Sequence, residues 1–232
     1  MRGQDAATVD VDLAWADLAH AGPPLDGGPG LSDVERRRLA GIAAPRRAAQ
    51  FVAGRALARA LLARRYGDEA RHWTLTAREG EAPRVVGRAH MHLSLSHAGD
   101  LVACALAETP IGLDIEPLNP RRDRTALLDA IATPVERQRA VAALAGLSLP
   151  WVALHLWCLK EACLKLTGGT LFTSMLGHRI EALPAACHEA NAVTWRRGDV
   201  VIALAADVSM ARLRIAGIDT AAAQHWRVRS TD

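Results

Sequence analysis

The chain has 232 residues, half of them apolar and 23% charged, with a formal net charge of +3. This is an ordinary globular composition, with chain enough for one large domain or two small ones and ample surface to bury. No run of 18 apolar residues is present, which excludes a transmembrane helix, and the acidic N-terminal stretch MRGQDAATVDVD has no apolar core to suggest a signal peptide. The four cysteines show no CxxC pairing, so buried, reduced thiols in a cytoplasmic protein are expected.

In chain order, TVDVDLAW alternates Val9, Val11 and Leu13 with Asp10 and Asp12 and predicts a half-buried strand. AGPPLDGGPG, from Ala21 to Gly30, is a loop by composition. Ser32 and Glu35 form a capping box that starts a helix carrying Arg36, Arg37 and Arg38. A second helix follows Pro45 and ends at Gly67. Short strands are predicted at WTLTA (Trp73 to Ala77) and at MHLSLS, and LVACALAETPIGLDIE reads as a hairpin turning at Glu108, Thr109 and Pro110. A polar loop and one or two helices come next. A long helix then runs from about Pro150 to Leu166, stopped by Gly168 and Gly169. Late strands are predicted near Val193 to Trp195, Val200 to Ala206 and Leu213 to Ile218. Strands and helices in this mixed order suit an α+β fold.

IGLDIEP, Ile111 to Pro117, carries the first chemical signal. Successive strand side chains alternate, so Ile111, Leu113 and Ile115 share one face and Gly112, Asp114 and Glu116 the other. Two like charges on one face repel; on a solvated face that is mild, but in a cleft it calls for a cation. The second signal is lysine. Of 28 basic residues only Lys160 and Lys165 are lysines, within the helix WCLKEACLKL. At about 100° per residue, Leu159, Ala162, Cys163 and Leu166 gather on one side, and Lys160, Glu161 and Lys165 on the other. An exposed i,i+4 Glu–Lys pair is the bland account; Trp157 and Leu164 within the polar arc weigh against a simply solvated face.

Asp114, Glu116 and Glu161 form a set of carboxylates suited to Mg²⁺, which takes its remaining ligands from water and phosphate. None of the histidines has the spacing of a zinc site. In HLSLSHAG, Ser94 and Ser96 alternate with Leu93 and Leu95, and His97 enters a turn; this is either a phosphate cradle or a surface loop. The Arg-rich helices suit nucleic acid or a phosphorylated ligand, but Phe51 is their only aromatic before Tyr66, so stacking on bases is poorly supported.

Together, SLSH at Ser94 to His97, IGLDIE at Ile111 to Glu116 and WCLKEACLK at Trp157 to Lys165 resemble the Sfp-type 4′-phosphopantetheinyl transferases. The resemblance runs from about Arg36 to Gly169 and implies two similar α+β subdomains, 1–108 and 109–232, related by a pseudo-two-fold axis with coenzyme A between them. It further implies that Asp114, Glu116 and Glu161 hold Mg²⁺ on the coenzyme A pyrophosphate. Ser96 and His97 would bind the 3′-phosphate region, Lys160 and Lys165 would neutralise the pyrophosphate, and Arg38 would contact the nucleotide end. The implied reaction is that of a holo-[acyl-carrier-protein] synthase. A serine of an apo acyl or peptidyl carrier protein attacks the phosphate bearing the pantetheine arm, 3′,5′-ADP leaves, and Glu161 or a water on the metal takes the proton, with Lys165 in the catalytic set. A cytoplasmic monomer with no nucleic-acid or membrane partner is expected. One departure is that the family's Gly-Lys-Pro stretch reads Gly80-Glu81-Ala82-Pro83 here, leaving that contact to Arg78 or Arg84. The rivals are another Mg²⁺-dependent enzyme of phosphate esters, such as a nucleotide hydrolase, and a non-catalytic arginine-rich binding protein.

Overall fold

The structure is a computed structural model that describes residues 7–21, 30–76, 78, 80–119, 124–168, 178–220 and 222–231. Alternating apolar and acidic residues make Val9–Asp17 (β1) a strand, with Val11 and Leu13 on its buried face. A single helical turn, Leu18–Ala21 (α1), follows it. The Ser32–Glu35 capping box forms with both of its hydrogen bonds and starts Asp33–Ala40 (α2). Pro45 opens Pro45–Tyr66 (α3), which stops at Gly67 with φ +89°. Then come His92–Ala98 (β2), Leu101–Ala107 (β3), Ile111–Pro117 (β4), Arg124–Ile131 (α4) and Pro134–Ala143 (α5). Leu149–Thr167 (α6) ends on the left-handed Gly168. The chain closes with Ile180–Pro184 (β5), Ala192–Arg197 (β6), Val200–Ala206 (β7), Leu213–Ala216 (β8) and Gln224–Ser230 (β9). No helix among the described residues is long and apolar enough to cross a membrane.

The fold is mixed α+β with two sheets, in strand orders β2-β3-β1-β8 and β4-β7-β6-β9-β5. They face each other across a core in which Val11, Leu13 and Ala105 meet Leu113, Val193 and Ile202. On the outer face of the first sheet, Leu61 and Leu62 of α3 cover Leu93, Cys104 and Leu106. On the outer face of the second, Leu156 and Leu159 of α6 cover Val201 and Ala203. Each fully buried leucine or isoleucine in these layers contributes about 2 kcal/mol. Thr194 ties α6 to the second sheet, its hydroxyl lying 2.9 Å from both His155 Nδ1 and Trp226 Nε1.

Two expectations about strands are corrected. β3 and β4 are not a hairpin: β3 pairs with β1 and β2, and β4 with β7. Their apolar residues meet face to face in the central core, so Glu108–Pro110 is a crossover between sheets, held where Thr109 Oγ1 donates to Asp207. WTLTA shrinks to one bridge, Leu75 to Val85, and α3 uses Leu75 as core. Strands β5 and β9 were not expected. The interior of the Pro/Gly-rich loop, residues 120–123 and Gly169 lie outside the described residues.

The sheets join at their edge strands, where side chains replace a ladder. Ser94 Oγ accepts from the Leu113 amide at 2.8 Å, and Ser96 Oγ from the Ile115 amide at 3.3 Å. A second tie is β8, which runs parallel to β1 and binds it further through Arg214 and Asp10. The outer face of β4 lies under α6, and Gly112 permits the contact: a Cβ there would stand 1.9 Å from the Ala162 carbonyl oxygen and 2.8 Å from the Leu166 nitrogen. Both atoms are helix backbone and cannot rotate away. Gly112→Ala is therefore expected to cost about 3 kcal/mol or more, read as a fall in the urea midpoint. An unchanged midpoint would show that α6 can lift off β4 freely.

Candidate active site

The Gly112 contact sets Asp114 of β4 against the polar side of α6. Lys165 Nζ donates to Asp114 Oδ1 at 2.8 Å, to Ser96 Oγ at 2.9 Å and to the Leu113 carbonyl at 3.0 Å. An ammonium has three donors, and each has an acceptor here. Ser96 is equally committed. Its hydroxyl donates to Asp114 Oδ1 at 2.8 Å and accepts from Lys165 and from the Ile115 amide. With one donor and two acceptor sites filled, Ser96 positions Asp114 and Lys165 and has nothing left for a phosphate. The structure thus places Ser96 among protein partners, where the resemblance assigned it to the 3′-phosphate region.

Asp114 is 5% exposed, and its Oδ2 is buried with no hydrogen-bond partner. Such an oxygen is costly unless something positive meets it. Glu161 stands half-buried nearby. Burial, and then the charge of Asp114, raise its pKa, with Lys165 pulling the other way. Glu116 projects from the same strand face toward a separate hollow of about 690 Å³, where its carboxylate lies 3.8 Å from Arg124 Nη2. Among the described residues no group of three or more His, Cys, Asp or Glu side chains converges as a metal-ligand set. The structure brings Asp114 and Glu161 near each other, while Glu116 lines the separate hollow. Mg²⁺ is commonly held by one or two carboxylates, with waters and phosphate completing the shell. The orphaned Asp114 Oδ2 and the neighbouring Glu161 fit such an ion.

Ser96, His97, Glu161 and Lys165 line one side of a cleft of about 790 Å³, and Arg38, Arg47 and Arg55 of α2 and α3 line another. Arg78 and Arg84 also line it, beside Glu81. Arg47 donates to His97 Nε2, so that nitrogen carries no proton. Crowding in the cleft wall, then the charges of Arg47 and Lys165, push the His97 pKa down to about 4, although an edge of the ring stays open to solvent. Arg47 belongs to the Arg-rich helices that the sequence suits to nucleic acid or a phosphorylated ligand, and no sequence signal singled it out for the site. Its partner His97 lies 50 residues away, so only the tertiary fold reveals the pairing.

Lys160 is not in this cleft. It is fully buried on another side of α6, where Nζ donates to Glu136 at 2.9 Å and also to the Ile131 carbonyl. Five residues along a helix rotate a side chain by about 140°, so Lys160 and Lys165 cannot share one narrow arc. Because α6 is packed on several sides, its charges serve separate neighbours. Glu136 also caps α5 and accepts from the Ala182 amide at 2.8 Å, so the pair joins α4, α5, α6 and β5. Removing one member of a buried pair strands the other charge. Lys160→Met is expected to cost about 3–5 kcal/mol in urea unfolding, and a second change, Glu136→Gln, should recover part of it. Wild-type stability in the single variant would refute this role.

Residues 110–205, which hold β4, α6 and their acids, match the model of the 4′-phosphopantetheinyl transferase superfamily. The chain is 38% identical over 85 residues to 4′-phosphopantetheinyl transferase psf-1 of Bacillus pumilus, covering 33% of this chain and 32% of that protein. It is 28% identical over 115 residues to a 4′-phosphopantetheinyl transferase of Bacillus subtilis, half of each chain. The chain thus spans about a third to a half of the length of the curated relatives it matches. Over residues 110–205, around the acids of β4 and the lysine helix, the chain is similar to the 4′-phosphopantetheinyl transferase superfamily, and the IGLDIE and WCLKEACLK motifs that carry the resemblance lie within that match.

Proposed function

We propose that the protein transfers the 4′-phosphopantetheine arm of coenzyme A to a serine of an apo acyl or peptidyl carrier protein, releasing 3′,5′-ADP, the holo-[acyl-carrier-protein] synthase reaction. The observation that carries this reading is the pairing of an anionic corner with a cationic cleft. Asp114, with its orphaned Oδ2, and Glu161 meet Lys165 beside a cleft whose lining includes Arg38, Arg47, Arg55, Arg78 and Arg84. Such a space suits a ligand with several phosphate groups, and its length along α3 suits a nucleotide end beside Arg38 and His97. The protein is read as a cytoplasmic monomer. Its halves, 1–108 and 109–232, are read as related by a pseudo-two-fold axis, with α3 on one sheet answering α6 on the other.

The roles follow from the local chemistry. Asp114 and Glu161 would hold Mg²⁺, with Glu116 as the third acid of the family pattern; when bound, the ion offsets negative charge on the pyrophosphate. Glu161, half-buried beside Asp114 and Lys165, is the carboxylate placed to accept a proton. The carrier serine Oγ forms a bond to the phosphorus bearing the pantetheine arm. Its proton passes to Glu161, and the bond to the second phosphate breaks. Lys165 and the cleft arginines face the charge that collects on the departing 3′,5′-ADP. Ser96 holds Asp114 and Lys165 in register, and neutral His97, supported by Arg47, offers its ring to the 3′-phosphate.

Mass spectrometry of an apo carrier protein incubated with coenzyme A and Mg²⁺ tests the reading, the expected result being a carrier heavier by one phosphopantetheine. Consumption of coenzyme A without a carrier would instead indicate a hydrolase. Asp114→Ala should abolish transfer while the far-ultraviolet circular dichroism stays unchanged; transfer at the wild-type rate under limiting Mg²⁺ would remove Asp114 from the site. His97→Ala should weaken coenzyme A binding by roughly tenfold or more, since a hydrogen bond to a charged group is worth about 1.5–3 kcal/mol. With dephospho-coenzyme A the loss should largely vanish. Equal losses with both ligands would separate His97 from the 3′-phosphate.

A further inference from the structure

Two arginines of α3 share one carboxylate. Glu35 is fully buried; its oxygens accept from Arg59 at 3.1 and 2.5 Å and from the Ser32 amide at 2.8 Å. Arg55 Nε approaches the same carboxylate at 3.3 Å, yet Nε and Nη1 of Arg55 have no hydrogen-bond partner. Arg55 is 4% exposed, and Arg59 is 8% exposed. Burial lowers the pKa of Arg55, Glu35 raises it and Arg59 lowers it again, but a guanidinium stays protonated in a protein. Cys104, the remaining titratable neighbour among the described residues, is pushed up to about 12 by burial and brings no compensating charge. Among the described residues, one negative charge therefore serves two buried positive ones, an arrangement that destabilises the free protein.

The deficit lies at the cleft. Arg55 lines it beside Arg38 and sits over the Phe51 ring, 4.9 Å from the centroid. We propose that Arg55 is a specificity-determining cation of this cleft, left one negative charge short in the free protein and completed by a phosphate oxyanion of the bound ligand. The proposal rests on the reading of the cleft as the coenzyme A site. Arg59 alone keeps Glu35 satisfied through two hydrogen bonds, so the fold does not need the second guanidinium. Its cost to the free protein is matched to a gain on binding, which separates anionic nucleotides from neutral molecules of similar size.

The test uses Arg55→Met and Arg55→Lys in the full chain, with coenzyme A and inorganic phosphate as probes. Thermal unfolding and calorimetric titration supply the readouts. Arg55→Met should unfold, without ligand, at or above the wild-type temperature, because the uncompensated charge is gone. Its coenzyme A affinity should fall about tenfold or more, the stabilisation by phosphate should disappear, and Arg55→Lys should regain part of both. Wild-type coenzyme A affinity in Arg55→Met overturns the proposal. So does a fall in its unliganded stability, or a failure to fold, either of which makes the residue a structural partner of Glu35. If the wild-type protein does not bind coenzyme A, the reading of the cleft fails and the phosphate arm decides alone. Phosphate stabilisation lost in Arg55→Met then supports an oxyanion site at Arg55. Equal stabilisation in both proteins, or none in either, overturns it.

Discussion

The contact between Gly112 and the backbone of α6 is the constraint on which the site depends. A hydrogen in place of a methyl lets a helix carbonyl approach strand β4 to a distance no Cβ tolerates. At that separation the Lys165 side chain reaches Asp114 directly, and Glu161, one helical turn earlier, stands close enough to feel its charge. The same strand is the edge to which Ser94 and Ser96 fasten the first sheet. One glycine therefore brings three elements, β2, β4 and α6, to a single point. It does so by geometry that tolerates little drift, as a site assembled from separate elements requires.

The two lysines show how a helix packed on several sides separates its charges. Lys160 lies in a closed interior where Glu136 and a carbonyl satisfy it, and it holds helices together. Lys165 stays 31% exposed against a carboxylate with an idle oxygen, and so faces exchangeable company. A compact ammonium suits both positions. In the first, the pocket has been filled by packing; in the second, three acceptors converge on one nitrogen, and a planar fork would reach past them. The chain's preference for arginine elsewhere thus breaks for two unrelated reasons that happen to fall five residues apart.

Much of this was legible in the sequence because it rests on local rules. The period-2 alternation of β1 and β4, the Ser32–Glu35 capping box and the Gly168 stop are written within a few residues, and each appears in the structure. The pairing of Asp114 with Lys165 was also within reach, since both stood out by residue type. What depends on tertiary contact was not. The stretch of β3 and β4 has the look of a hairpin, but nothing in it says that both strands are covered on two faces and must stack in different sheets. Strand β9, QHWRVRS, hides its apolar alternation in Trp226 and Val228 among polar neighbours. Ser96 reads as an open hydroxyl until its three partners are counted. Lys160 reads as a cleft residue until Glu136, 24 positions earlier, is found beside it.

The parallel pairing of β8 with β1 has a consequence for the order in which the molecule is built. Val9–Asp12 leave the ribosome about 200 residues ahead of their partners Leu213–Ala216. At about 5–20 residues per second that interval is on the order of 10–40 s. Throughout it the first sheet carries an open strand edge bearing Val9 and Val11, the kind of edge that recruits other chains. Asp10 lies on that edge, and its charge discourages a stranger's strand until Arg214 arrives to pair with it.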